Sequence, residues 1–170
     1  LGQARRRTPA RPPVGIIMGS QSDWAIMSNV SETLEKLGIA SENRVISAHR
    51  APHLLTEYCE SARDRGLKVL VCGAGVAAAL PGVAAAQASL PVLGVPLDAG
   101  NFGGMDALMA IVQMPPGIPV GTLAVGKPGA INAAILAASI LAVSDETVRA
   151  TLDDFRAKQT QSIVDTPAPD

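Results

Sequence analysis

A histidine and an arginine stand side by side in Ser47-Ala48-His49-Arg50-Ala51-Pro52. This hexapeptide lies between a β-like run ending at Ile46 and a helical pattern opened by Pro52. An imidazole carries protons near neutral pH. A neighbouring guanidinium grips phosphate or carboxylate through paired hydrogen bonds. A strand-to-helix loop is where open α/β sheets bind ligands, beyond the carboxyl ends of their strands. Taken singly, each side chain also has a plain structural reading: His49 as a surface histidine, Arg50 as half of a surface ion pair. His53, the second of two histidines, falls one turn into the helix and reads as a surface or capping residue.

Three other loops have suitable chemistry. Met18-Gly19-Ser20-Gln21-Ser22-Asp23 places two hydroxyls and a carboxylate at the start of a helix. Free first-turn amides and the positive dipole end favour an anion there; an ordinary N-cap by Ser22 or Asp23 fits equally well. The stretch has neither a GxGxxG fingerprint nor a Walker lysine. Gly73 to Gly82 is lined by glycine and alanine. It is either a tight strand–helix junction or a turn whose backbone approaches a small flat ligand, its amides holding a carboxylate or carbon dioxide. Asp98 to Gly104 sets one phenylalanine among small residues, as a mobile cover over a site or a plain surface loop.

The elements that must position these loops alternate regularly. Short apolar runs at Val14–Met18, Glu42–Ile46, Leu67–Cys72, Pro91–Val95 and Pro119–Val125 read as strands. Trp24, Met27, Val30, Leu34 and Leu37 form one stripe of a helix over Asp23–Gly38. Further helices are expected over Pro52–Arg65 (Leu54, Leu55, Tyr58 and Ala62 inward), Ala79–Ala88, Met105–Gln113, Ala130–Ala142 and Asp145–Lys158. Strands alternating with helices imply a parallel sheet covered on both faces. With right-handed crossovers this is a three-layer, flavodoxin-like doubly wound α/β domain of about five strands with a C-terminal helix. In a doubly wound sheet the adjacent loops open on one edge, so the serine loop and the His–Arg loop can face one pocket. The expected division is a disordered leader (1–12), a single domain (13–160) and a frayed tail (161–170).

Composition excludes several classes. The chain has 170 residues, a net charge of −1 and four aromatic residues: Trp24, Tyr58, Phe102 and Phe155. Stacking platforms for single-stranded nucleic acid are missing, and no general field attracts polyanions. The basic run Arg5–Arg7 lies in a Pro-rich leader and does not read as a nucleic-acid arm. Cys59 and Cys72 form no CxxC pair; they read as small core residues of a cytoplasmic protein. No signal-peptide core is evident. Ala133–Val143 is too short to span a bilayer, which takes about 20 residues.

A set of motifs then occurs in order: Gly15-Ile-Ile-Met-Gly-Ser-Gln-Ser-Asp-Trp24, Ser47-Ala-His-Arg-Ala-Pro52, Gly73-Ala-Gly-Val-Ala-Ala-Ala-Leu-Pro-Gly82, Pro91-Val-Leu-Gly-Val-Pro96, Ile111-Val-Gln-Met-Pro115 and Gly117-Ile-Pro-Val-Gly-Thr-Leu-Ala-Val-Gly126. Over Val14 to Gln159 the chain resembles the class I N5-carboxyaminoimidazole ribonucleotide mutases, the phosphoribosylaminoimidazole carboxylase catalytic subunit family. The resemblance implies an isomerase of de novo purine (IMP) biosynthesis. It would convert N5-carboxyaminoimidazole ribonucleotide to 4-carboxy-5-aminoimidazole ribonucleotide with no metal and no cofactor. It further implies that Ser20, Ser22 and Arg50 hold the phosphate, Asp23 the ribose, and His49 acts as general acid/base. Ser47, Ala48, Gly75, Ala78, Ala79 and Leu80 complete the substrate site, with carbon dioxide held against the third loop. A homo-octamer is implied, as is a functional link to the ATP-dependent synthetase that makes the substrate; no nucleic acid or membrane partner is.

One departure stands out. Where family members usually read Ala-Ala-His-Leu-Pro-Gly, this chain has Ala77-Ala78-Ala79-Leu80-Pro81-Gly82. Val76 likewise stands where glycine is common. An imidazole is thereby missing from the third loop, with binding expected to survive and turnover expected to fall. The alternatives are a class II aminoimidazole ribonucleotide carboxylase, which uses free carbon dioxide, and a catalytically weak ribonucleotide-binding paralogue. The Gln-Ser-Asp-Trp and Val-Gln-Met-Pro stretches favour class I. A Rossmann-type dehydrogenase would need a glycine fingerprint that is absent.

Overall fold

The computed structural model describes residues 11–166 and 168. Five strands form one parallel sheet: β1 (Val14–Met18), β2 (Ser41–Val45), β3 (Val69–Gly75), β4 (Val92–Leu97) and β5 (Gly121–Thr122), in the order β2-β1-β3-β4-β5. Helices α1 (Trp24–Lys36), α2 (Pro52–Ala62), α3 (Leu80–Gln87), α4 (Met105–Val112), α5 (Lys127–Ala142) and α6 (Glu146–Asp165) connect and cover it. This is the flavodoxin-like order expected from the alternation, with its switch point between β1 and β3.

The two faces follow from strand periodicity. Val14, Ile16 and Met18 of β1, with Val69 and Val71 of β3, pack beneath α1 and α5. Ile17, Leu70 and Cys72 face the other way, into α2, α3 and α4. Helix α5 lies close because its inner face is alanine: Ala130, Ala133, Ala134, Ala137 and Ala138 are fully buried. Helix α6 adds Leu152 to the buried set and rests Val148 and Phe155 against the α1–α5 side. A Cβ at Gly73 would meet Met27 Sδ at 2.3 Å, so the Met27 thioether from α1 fills the space that a side chain at 73 would take.

Several element ends differ from the sequence reading. β2 is a polar edge strand, not an apolar one; Asn43, Arg44 and Val45 are exposed, and burial begins at Ile46. Charged side chains on an edge oppose pairing with another chain. β5 is only a fragment of the expected Pro119–Val125. Pro119 has no N–H for the ladder, and beyond Thr122 the contacts to β4 are separate bonds, Leu123 N–H to Gly94 O (2.9 Å) and Gly126 N–H to Pro96 O (2.8 Å). Leu54, expected inward on α2, is 44% exposed; Leu55, Tyr58, Cys59 and Ala62 form the buried stripe. α5 starts three residues earlier than expected, at Lys127 with Pro128 in its first turn, and α6 runs on to Asp165.

Of the leader, residues 1–10 lie outside the described residues, as do 167, 169 and 170 of the tail. Arg11 donates from Nη1 to the Asp64 carbonyl at 3.0 Å. Among the described residues no helix is long and apolar enough to cross a membrane.

Candidate functional site

The carboxyl ends of β1, β2 and β3 open into a cleft of about 480 Å³. Its walls include Ser20, Ser22, Asp23, Ser47, Ala48, His49, Arg50, Gly75, Ala78, Ala79 and Leu80, so the sequence-selected residues meet in one place. Gly19, Ala74, Val76, Ala77 and Ala99 also line it. The signal for the first four was their position in or beside the same loops; for Ala99 it was the small-residue run of the fourth loop.

The first loop folds as a reciprocal capping box. Ser20 is the N-cap of the 3-10 turn Gln21–Asp23 that leads into α1. Its Oγ accepts from Ser22 N–H at 3.3 Å, and Asp23 Oδ2 accepts from Ser20 N–H at 3.0 Å. Ser20, not Ser22, therefore caps the 3-10 turn, and Asp23 takes the N-cap position of α1 without a side-chain cap bond there. Ser22 remains exposed, its Oγ 2.9 Å from Ser20 Oγ. Partial burial raises the Asp23 carboxyl above the ordinary 3.8, against the amides of Ser20 and Gly19 and the charge of Arg50, which pull it down.

The second loop is held by its own serine. Ser47 Oγ accepts from Arg50 N–H at 3.2 Å and from Arg50 Nε–H at 3.1 Å. Arg50 Nη2 then donates to the Gly19 carbonyl at 2.7 Å, while Ile46 N–H donates to Met18 O at 2.8 Å. The exposed His49 ring makes no hydrogen bond among the described residues and faces the cleft free to meet a ligand. His53 is exposed on α2 and is not part of the cleft wall.

The third loop turns tightly, Ala78 N–H donating to Gly75 O at 3.0 Å, with Val76 at φ 55° and Ala78 at φ 33°. α3 follows with no side-chain cap; Pro81 in its first turn carries no N–H, and Leu80 is its one residue on the cleft wall. The fourth loop comes close: a Cβ at Gly75 would lie 2.6 Å from Ala99 Cβ. Phe102, its one large side chain, is 71% exposed and lies off the cleft wall.

The cysteines stay out of the site. Both are buried and unpaired. Burial, with the Glu60 charge second, pushes the Cys59 thiol up to about 11, and burial raises Cys72 as well. Neither has the thiolate character of a nucleophile.

A corner of serines with one arginine, an imidazole without a hydrogen bond and a small-residue turn thus share one cleft. Residues 13–162 match the family model for AIR carboxylase. The chain is 55% identical over 156 residues to the N5-carboxyaminoimidazole ribonucleotide mutase of Vibrio cholerae, covering 92% of this chain and 97% of that protein. It is 49% identical to the mutase of Bacillus subtilis, covering 91% and 96%. It is also 51% identical to a 16% portion of the bifunctional purine synthesis protein purC/E of Dictyostelium discoideum, over 92% of this chain. The crystal structure of Treponema denticola PurE superposes with a TM-score of 0.82 at 27% identity, covering 91% of this chain and 96% of that one. The chain belongs to the AIR carboxylase family.

Proposed function

We propose that this chain is an N5-carboxyaminoimidazole ribonucleotide mutase of purine biosynthesis. The observation that carries the reading is the convergence of His49, Arg50, Ser20, Ser22 and Asp23 on one cleft, opposite the small-residue turn. Arg50 and the serines bind the substrate phosphate, and Asp23 binds the ribose. The capping box and the Arg50–Gly19 bond hold these groups before substrate arrives, so little ordering is left for the binding step.

His49 then moves two protons. The bond from the exocyclic nitrogen to its carboxylate breaks, releasing carbon dioxide, and protonated His49 delivers a proton to that nitrogen. Ring carbon 4 attacks the carbon dioxide and forms the new carbon–carbon bond. His49 takes the proton from carbon 4 and is restored to its starting state. Atoms and charge balance without an oxidant or second substrate. The step needs a proton carrier working near neutral pH and a site that keeps carbon dioxide from escaping. Gly75, Ala78, Ala79 and Leu80 form the wall against which it stays.

The names of the relatives at 49–55% identity support the mutase over the class II carboxylase. Ala79 leaves His49 as the sole imidazole on the cleft wall among the described residues, and this lowers turnover without abolishing binding. We also infer a homo-octamer. A functional link to the ATP-dependent synthetase is supported by the Dictyostelium bifunctional protein, and a cytoplasmic location by the unpaired cysteines.

The test offers the chain each substrate separately. Conversion of the N5-carboxylated ribonucleotide, lost in His49→Asn while binding persists, is the expected result. Conversion only of aminoimidazole ribonucleotide with bicarbonate would make it a class II carboxylase. Saturable binding with no conversion of either would make it a binding paralogue.

A further inference from the structure

The fourth loop sets unused donors beside an unused acceptor. No backbone N–H from Ala99 to Gly104 donates to another backbone group among the described residues. Residues 99–103 are exposed, so solvent satisfies those amides. The acceptor is less well served. Asp106 is the second residue of α4, and its Oδ1 is buried with no hydrogen-bond partner among the described residues. A buried acceptor without a donor is costly, and more so when it carries charge. The other oxygen, Oδ2, would lie 3.4 Å from a Cβ on Gly100, so the carboxylate stands against the loop. That stretch of loop belongs to the cleft. Ala99, next to Gly100, lines it, and a Cβ on Gly75 would lie 2.6 Å from Ala99 Cβ. A Cβ on Gly100 would in turn lie 3.6 Å from Val76 Cγ2. Fixing Gly100 therefore fixes the contact between the third and fourth loops at the cleft wall.

We propose, on the mutase reading, that Asp106 is a positioning residue for the reaction: its carboxylate accepts hydrogen bonds from the fourth-loop amides around Gly100 once the ribonucleotide is bound. Such bonds are charge-assisted, and they give the buried oxygen its donor. They hold Ala99, and the turn that Ala99 abuts, in one place against the bound ring. Small misplacements at a reacting centre cost rate heavily. Asp106 itself does not line the cleft and touches no substrate. The other use of an acidic side chain at this point is to complement the positive end of α4. The two roles part on stability. A helix-end charge stabilises the free protein, whereas a buried oxygen without a donor burdens it until ligand arrives.

The experiment compares Asp106→Ala and Asp106→Asn with the unsubstituted chain. Steady-state kinetics use N5-carboxyaminoimidazole ribonucleotide; amide hydrogen exchange is followed with and without saturating 4-carboxy-5-aminoimidazole ribonucleotide. In the unsubstituted chain this product should slow exchange of the 99–104 amides about tenfold or more. In Asp106→Ala that protection should vanish and kcat should fall about tenfold to a hundredfold. KM should stay within about threefold, because the phosphate corner is untouched. The unfolding midpoint without ligand should be unchanged or raised. Asp106→Asn keeps one oxygen acceptor and should recover part of kcat. Retained kcat in Asp106→Ala overturns the proposal, and so does protection of 99–104 that persists in that variant. A lowered midpoint with kcat and protection intact assigns Asp106 to the helix end alone and overturns it as well. Failure of the unsubstituted chain to convert the N5-carboxylated ribonucleotide overturns the mutase reading, and the proposal with it.

Discussion

Arg50 Nη2 donates to the Gly19 carbonyl oxygen at 2.7 Å across 31 residues of sequence. The bond locks the second strand–helix loop to the first and fixes the guanidinium beside Ser20 and Ser22. Ser47 supports it from the other side, accepting from Arg50 Nε–H at 3.1 Å. The arginine is thus oriented by two neighbours and still exposed to the cleft.

Replacing Arg50 by alanine should therefore weaken substrate binding more than it slows chemistry. Loss of a charge-assisted phosphate contact corresponds to a rise in KM of about tenfold to a hundredfold. Arg50→Lys keeps the charge but not the fork and should fall between the two. Steady-state kinetics read this directly; an unchanged KM in Arg50→Ala would remove the residue from the phosphate site.

Ala79 sits at φ −72° and ψ −22°, a conformation any residue adopts. An imidazole introduced there needs no change of backbone, and the position already lines the cleft. Ala79→His is expected to raise kcat about tenfold, the value of one well-placed hydrogen bond to a developing charge. KM should change little because the phosphate corner is untouched. An equal kcat for both forms would show that the alanine does not limit turnover.

Much of this was legible from residue order because parallel strands carry their loops to one edge. Val14–Met18 and the Leu67–Cys72 run announce buried strands by hydrocarbon alone, and the loops after them had to converge. β2 was harder: its edge position sets Asn43 and Arg44 toward solvent, and edge status is a property of the assembled sheet. Leu54 and Leu55 are neighbours of equal hydropathy, and only the pitch at which α2 settles decides that Leu55 is the buried one. Of the N-cap readings Ser22 and Asp23, Asp23 holds that position on α1, while Ser20 caps the 3-10 turn before it, because the capping box depends on the path by which Asp23 folds back onto Ser20 N–H. The φ of Val76 had no signal in composition, since the turn forces a valine into a glycine's conformation.

Glu42 on β2 is largely buried and paired with Arg65, whose guanidinium stacks 4.5 Å from the Tyr58 ring centroid. Burial raises the Glu42 carboxyl, but the Arg65 hydrogen bond and the charges of Arg65 and Arg44 outweigh it. The group titrates below its ordinary 4.5. A carboxyl depressed in the folded state stabilises above its unfolded value and loses that contribution as pH falls through the folded one. Glu42→Gln should cost about 1–2 kcal/mol at neutral pH, discounted for the partial exposure of Arg65. The gap between the two proteins should narrow in acid, as pH falls below the ordinary carboxyl value of 4.5 and through the lower folded one. Urea unfolding at neutral and acid pH measures this; a gap that persists in acid would mean the carboxylate charge is not the source.

Among the glycines of the described residues, the one with least room for a side chain lies where α5 meets the segment before it. A Cβ added to Gly129 would lie 1.6 Å from the Ala124 carbonyl oxygen and 2.6 Å from its carbon. Both are backbone atoms, so no flexible side chain can yield. Gly38, at φ 71°, offers the converse case: a Cβ there meets nothing within 4 Å, and only conformational strain opposes it. Gly129→Ala is expected to cost about 3 kcal/mol or more as α5 is pushed off its seat, and Gly38→Ala about 1 kcal/mol. Because α5 buries its alanine face against the sheet, the first substitution should also lower the yield of folded protein, and the second should not. Denaturation midpoints of the two variants decide the matter. Equal midpoints would mean that the 124–129 segment relaxes freely and that the close seat of α5 contributes nothing to stability.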